Sequence, residues 1–211
     1  MSKHKLKYIN SEVKGKDPPA PDDNLAIVGS SARLLNSKHG KLIDSFTDVV
    51  RFNRAPTQGY EQHVGSKTTI LVANNHVFCN QKHNGWKPHG SIPPASFIRS
   101  QRDMDIIHLG PPECWSRRRR HVHVSCCSFL ANYGHIRSSL TNIVKGQPSC
   151  GFAFLWICLE SGLKPSIFGY GIGEENYGQY YDKNAISSHE MKSERTKIKE
   201  WIEEGLVEFY E

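Results

Sequence analysis

A chain of 211 residues can bury one substantial core, and with 37% hydrophobic and 23% charged residues it reads as a water-soluble globular domain, neither fibrous nor disordered. No apolar run approaches the roughly 20 residues that cross a bilayer, and the first residues lack the apolar core of a signal peptide. The net charge of +6 suits an anionic ligand without choosing among sugar nucleotides, nucleic acid and acidic membrane. Six cysteines without a CxxC spacing argue against a zinc ribbon or a disulfide framework.

Residues 1–23 are lysine-rich and then proline-rich (Asp17-Pro18-Pro19-Ala20-Pro21), which predicts a disordered tail ahead of a single domain over 24–211. Leu25-Ala26-Ile27-Val28 is a short apolar run closed by Gly29-Ser30-Ser31, the pattern of a buried parallel strand feeding a tight turn. Asp48–Phe52 and Thr68–Val72 are two further β-rich runs, separated by the Gly/Pro/Asn-rich residues 53–67. Together they make a βαβ unit whose first turn lies at the carboxyl end of the sheet, where open α/β sheets bind ligands. The turn itself has neither the GxGxxG spacing nor a terminal GK[ST].

Residues 75–90 hold His76, Cys79, His83 and His89 at spacings that fit no standard ligand set and read as a surface loop. Residues 105–109 and 121–126 look like two more strands. Asp103-Met104-Asp105 imitates a metal-holding pair of carboxylates but precedes a strand instead of closing one. Arg117–Arg120 has no aromatic platform beside it and reads as a solvated loop, not a nucleic-acid surface.

Ser149 is a suitable N-cap for the segment that follows, FAFLWICL, which is apolar all round and so predicts a buried helix, with a buried strand as the other reading of so short a run. Gly162 closes it and Ile167-Phe168 resumes the sheet. The positive end of such a helix favours a phosphate. Ser187-Ser188-His189-Glu190 has capping-box spacing, Ile198, Trp201 and Ile202 supply an apolar face, and Leu206–Tyr210 reads as a final strand beyond Gly205. At a helix start the dipole disfavours imidazolium, leaving His189 neutral and able to accept a proton. On a regular helix Glu194 would lie about 140° round from His189, which assigns it to packing.

Four segments in this order resemble the sialylmotifs of the eukaryotic-type sialyltransferases. Ala26-Ile27-Val28-Gly29, Ile43-Asp44-Ser45, Val50–Thr57, Gly59-Tyr60-Glu61 and Val64–Thr69 fall in register with the large motif. Pro148-Ser149-Cys150-Gly151, continuing without a gap to Phe168-Gly169-Tyr170-Gly171, is similar to the small motif. Gln179-Tyr180-Tyr181-Asp182 resembles the third motif, and His189 with Glu194 resembles the very small motif, His-x-x-x-x-Glu.

The resemblance implies an α/β fold with a Rossmann-like, mostly parallel sheet flanked by helices, a GT-A-like variant. It implies inverting transfer of sialic acid from CMP-sialic acid to a glycan hydroxyl, most naturally a galactoside, with no cofactor and no metal. His189 would be the catalytic base. Gly29, Ser30, Ser31, Asn53, Ser149, Cys150, Gly151, Tyr170, Tyr177, Gln179 and Tyr180 would bind the donor.

The chain also departs from the pattern. Ser30 stands where the family has Asn, Cys150 where it has Ser or Thr, and Gln179 where it has His. Rival expectations are therefore a weak or inactive nucleotide- or glycan-binding module, or transfer of a related acidic sugar such as Kdo. The two cysteines that the family joins by a disulfide fall at Leu25 and Gly162. Their joint absence points to a cytoplasmic setting, whereas the family implies the Golgi. Residues 75–145 match no motif, so the acceptor and linkage stay open, as does the oligomeric state.

Overall fold

The computed structural model describes residues 4–11, 17–74, 104–110, 128–173, 178–185 and 189–211. Its strands are β1 (Ile9–Ser11), β2 (Leu25–Val28), β3 (Asp48–Phe52), β4 (Ile70–Ala73), β5 (Asp105–His108), β6 (Ser128–Ala131), β7 (Ser166–Phe168) and β8 (Glu208–Tyr210). They form one sheet in the order β1-β6-β5-β4-β3-β2-β7-β8. Every neighbouring pair is parallel except β1 with β6. The helices are α1 (Gly40–Ser45), α2 (Glu61–Val64), α3 (Tyr133–Leu140), α4 (Cys150–Glu160) and α5 (Met191–Glu203). A 3₁₀ turn spans Ala32–Asn36.

Strand periodicity divides the apolar side chains between two faces. Leu25 and Ile27 of β2, Val50 of β3, Ile70 and Val72 of β4 and Ile107 of β5 join one core cluster with the α4 residues Phe152, Ala153, Phe154, Leu155, Trp156 and Ile157. Ala26 and Val28 of β2 and Val49 of β3 face the opposite way, against Leu34, Ile43, Phe46 and Val64. A strand buried on both faces has no room for polar alternation, which is why β2 reads as a continuous apolar run. The segment after Ser149 is a helix, buried from Phe152 to Cys158 and sealed against α5 by Phe152 stacked on Trp201 at 5.2 Å.

Several boundaries differ from the sequence reading, among them β8, which starts at Glu208 and not at Leu206. The expected N-terminal tail contributes β1, whose backbone pairs with the open edge of β6 while Leu6 and Ile9 enter the core. β4 starts two residues later than expected, since Thr68 and Thr69 turn their hydroxyls to Arg51 and to the Val49 amide. α5 starts at Met191 with Glu190 as its N-cap, accepting from the Ser193 amide at 2.9 Å, so the helix begins after the expected capping segment and not at it. Residues 75–90, Asp103, Arg117–Arg120, the expected strand at 121–126, and Ser187 and Ser188 lie outside the described residues.

Much of the large motif builds a clamp under the sheet. The Asp44 carboxylate accepts from the amides of Ser66 and Lys67 and from the Ser66 hydroxyl, at 2.8–3.0 Å. A Cβ on Gly65 (φ +71°) would sit 2.4 Å from Asp44 Oδ1, so glycine is needed there for space as well as conformation. Burial raises the Asp44 pKa, but the hydrogen bonds from Lys67 and Ser66, helped by the charge of Arg51, outweigh it and hold the carboxyl below its ordinary value of 3.8. A depressed carboxylate contributes stability above its unfolded pKa and loses it as pH falls through the folded one. Urea melts of Asp44→Asn are therefore expected to show lower stability than wild type at neutral pH, with the difference closing below pH 3.8. A constant difference across that range would contradict the clamp.

Candidate active site

The strand order turns back beside β2: β3 to β6 extend the sheet on one side, and β7 and β8 on the other. Ligands bind at such a reversal, outside the carboxyl ends of the strands. Here the ends of β2 and β7 come almost into contact. Gly29 N donates to Phe168 O at 2.7 Å and Ser31 N to Gly169 O at 2.9 Å. A Cβ on Gly29 would lie 2.4 Å from the Gly169 carbonyl oxygen, so only glycine lets the two turns meet.

A cleft opens above this junction and brings together residues from all four motif segments: Gly29, Ser30 and Ser31; Asn53; Ser149, Cys150, Gly151 and Tyr170; Gln179; and His189. Tyr177 lies outside the described residues. Tyr180 is a correction. Its side chain is 3% exposed, its hydroxyl donates to Pro56 O at 2.6 Å, and its ring packs on Tyr60 and Tyr181, so it props the cleft from behind and Tyr181 lines it instead.

Several lining groups are already committed to the protein. Ser31 Oγ caps the 3₁₀ turn by accepting from Arg33 N at 3.2 Å. Asn53 sits at φ +54°, a left-handed conformation that asparagine tolerates, and its Oδ1 accepts from Asn74 N at 3.0 Å. Ser149 has no donor left for a ligand. Its amide and hydroxyl both donate to Glu194 at 2.6 Å, and Oγ accepts from Phe152 N to cap α4. The amides of Cys150 and Gly151, the first helical residues of α4, have no intrahelical acceptor, and both residues line the cleft.

Burial pushes the Cys150 thiol up to about 12, with hydrogen bonds from Asn74 and Asn53 only partly opposing it, so the thiol is neutral at physiological pH. Gln179 is anchored by its backbone, donating to Asp182 O and bridging to Ser31. Its Oε1 is enclosed and has no hydrogen-bond partner among the described residues.

His189 precedes α5, and its Nδ1 lies 2.9 Å from the carbonyl of Gln147. A carbonyl can only accept, so Nδ1 carries the hydrogen and Nε2 of the neutral ring keeps a lone pair. Asn74, Glu194 and Arg195 also line the cleft and were not foreseen as ligand-facing residues. Asn74 directly follows β4, at the strand end where such residues are expected. Arg195 shares a helical face with Met191, Glu194 and Ile198, all lining the same cleft. Among the described residues no three His, Cys, Asp or Glu side chains are grouped to hold a metal ion, and no helix is long and apolar enough to cross a membrane. The described cysteines, Cys150 and Cys158, are free thiols.

Comparisons with known proteins place this architecture. The sequence profile of glycosyltransferase family 29 (sialyltransferase) matches residues 3–109. Beta-galactoside alpha-2,6-sialyltransferase 2 of Rattus norvegicus is 48% identical over 59 residues, a segment that spans 28% of this chain and 11% of that protein. A mammalian sialyltransferase solved in complex with Gal-beta-1-3GalNAc-ortho-nitrophenol superposes with a TM-score of 0.63 at 20% identity, over 88% of this chain and 68% of that one. The sialyltransferase CstII of Campylobacter jejuni, solved with cytidine-5'-monophosphate, superposes at 0.51 and 12% identity, over 88% and 78%. At these identities the two structures speak for the fold alone. With its profile matching half of the sequence, the chain belongs to glycosyltransferase family 29, the sialyltransferases.

Proposed function

We propose that this protein transfers sialic acid from CMP-sialic acid to a galactoside hydroxyl, with inversion at the anomeric carbon and His189 as the base. The observation that carries the reading is the imidazole at the cleft, held through Nδ1 by the Gln147 carbonyl, the tautomer in which Nε2 is the ring's proton acceptor. In the reaction the acceptor hydroxyl gives its proton to Nε2 while its oxygen bonds to the anomeric carbon. The bond from that carbon to the phosphate oxygen breaks, and CMP leaves with the electron pair. The Cys150 and Gly151 amides at the positive end of α4 would receive the growing phosphate charge, with Arg195 as the cation lining the same cleft. None of these roles calls for a metal. A cytidine monophosphate leaving group is supported by the ligand named for the Campylobacter fold neighbour. A galactoside acceptor is supported by the name of the rat relative.

The test is incubation of the purified protein with CMP-sialic acid and lactose-type galactosides, with mass spectrometry of the products. Formation of a sialylated galactoside is expected. Transfer from CMP-Kdo alone, or binding of CMP without transfer, would contradict the proposal.

Cys150 gives a second, smaller test. The thiol is a weak partner for Asn53 and Asn74, and a serine hydroxyl would make a full hydrogen bond in its place. One net hydrogen bond is worth about 0.5–1.5 kcal/mol, so Cys150→Ser is expected to raise the free energy of unfolding in urea by about that much. A less stable variant would show that the thiol is required for its shape.

A further inference from the structure

We propose that Glu194 is a positioning residue that fixes the base and the leaving-group end of the cleft on one rigid turn. This role presupposes the transfer reading for its kinetic effect, but not for its effect on the imidazole itself.

The turn in question is residues 145–151, between α3 and α4, and the start of α5 grips it at successive points. Lys145 N donates to Ser193 Oγ at 3.2 Å, an exposed and long contact. Gln147 O accepts from His189 Nδ1 at 2.9 Å. Ser149 N and Oγ donate to the two oxygens of Glu194 at 2.6 Å each. Glu194 is 2% exposed, and its charge is tolerated in so dry a place only because both oxygens are satisfied.

Packing alone would be served better by an apolar side chain. What the carboxylate adds is register. Ser149 is the N-cap of α4, so holding it sets the direction of the Cys150 and Gly151 amides. Two residues earlier, the same turn supplies the carbonyl that sets the imidazole. The distance between proton acceptor and phosphate donors is therefore fixed by a few residues of chain held at both ends. This explains a spacing that helical geometry alone could not. His189 lies outside α5 and Glu194 inside it, and each holds a different atom of the turn. Burial raises the Glu194 pKa, and the Ser149 hydrogen bonds and the neighbouring His189 act against that rise.

The experiment pairs kinetics with nitrogen-15 spectroscopy of the His189 ring, recorded well above the ordinary imidazole pKa of ~6.5. Wild type is expected to show the Nδ1–H tautomer. In Glu194→Ala the ring should drift toward the Nε2–H form that free histidine prefers, and kcat should fall about 100-fold with CMP affinity little changed, because misplacement, not lost binding, is the defect. Glu194→Gln should keep the tautomer and most of kcat, since its oxygen can still accept from Ser149 N and its amide can donate to Ser149 Oγ. If Glu194→Ala does not fold, Ser149→Ala removes one of the two donors and should give a partial tautomer shift. A wild-type ring in the Nε2–H form overturns the proposal, and so does an unmoved tautomer in the alanine variants. An equal loss of kcat and CMP affinity that glutamine fails to restore also overturns it. A tautomer that shifts as expected in a protein that transfers nothing upholds the positioning role and sinks the transfer reading alone.

Discussion

Alanine at His189 is expected to lower turnover about 10²- to 10⁴-fold, the usual contribution of a positioned general base, while CMP still binds. The reason is that, among the described residues lining the cleft, the other titratable groups are committed or already protonated. Both oxygens of Glu194 already accept from Ser149. Burial holds the Cys150 thiol and the Tyr181 phenol up at about 12, and pushes the Tyr170 phenol well above its ordinary value. All three are protonated at neutral pH and poor acceptors. The donor amides of Cys150 and Gly151 belong to α4 and survive the substitution, so affinity for CMP should not follow the rate. Steady-state kinetics at saturating donor, beside calorimetric titration with CMP, separates the two. A variant that keeps near wild-type turnover would remove His189 from the chemistry. One that loses CMP binding as well would make it a structural residue.

The largest expected effect on stability lies away from the cleft, at Arg51. Its guanidinium is 3% exposed and donates through Nε to Lys67 O and Thr68 Oγ1 at 3.1 Å and through Nη2 to Val64 O at 2.6 Å. Burial lowers its pKa, with Tyr180 and Asp44 opposing the shift. Arg51→Leu fills the space but takes the donors from the Val64 and Lys67 carbonyls, and each buried acceptor left unpaired costs about 1–3 kcal/mol. Folded domains hold only about 5–15 kcal/mol in total, so the variant should melt far below wild type in guanidinium chloride. Arg51→Lys should recover less than half of the loss, because an ammonium cannot reach divergent acceptors with a planar fork. A loss under about 1 kcal/mol, the range of an ordinary surface change, would show that the network is dispensable.

What the sequence revealed, and what it hid, follows from the range of the interactions involved. β2, β3 and β5 were readable because each is a compact β-rich run; β2 and the buried parts of the others carry no polar alternation. α4 was readable from Ser149 and the apolar run behind it. β1 was hidden because three residues among lysines carry almost no pattern, and their partner is β6, more than a hundred residues away. The motif segments share one cleft, but their spacing does not show which atoms are committed to the protein. Ser149 looked like a phosphate contact until Glu194, 45 positions on, took both its donors. Tyr180 looked like a ligand contact, yet its hydroxyl serves Pro56, 124 positions back. Glu194 looked like packing because His189 was placed on the helix that in fact begins two residues later. Local chemistry therefore identified the elements, and long-range hydrogen bonds decided which side chains stay available at the cleft.

The departures from the family pattern change side chains at the cleft and leave its backbone donors in place. Cys150 replaces a hydroxyl but leaves its own amide at the head of α4. Gln179 replaces an imidazole with a neutral amide whose Oε1 is enclosed and has no partner among the described residues. A glutamine can still donate to an anionic ligand, but it adds no charge at any pH.

The most direct measurement is CMP release from CMP-sialic acid by the purified protein in excess EDTA, with and without galactoside, run beside His189→Ala. The account predicts release that depends on the acceptor, survives the chelator, matches the sialylated product mole for mole and disappears in the variant. Release that needs a divalent metal, or persists without His189, would contradict it.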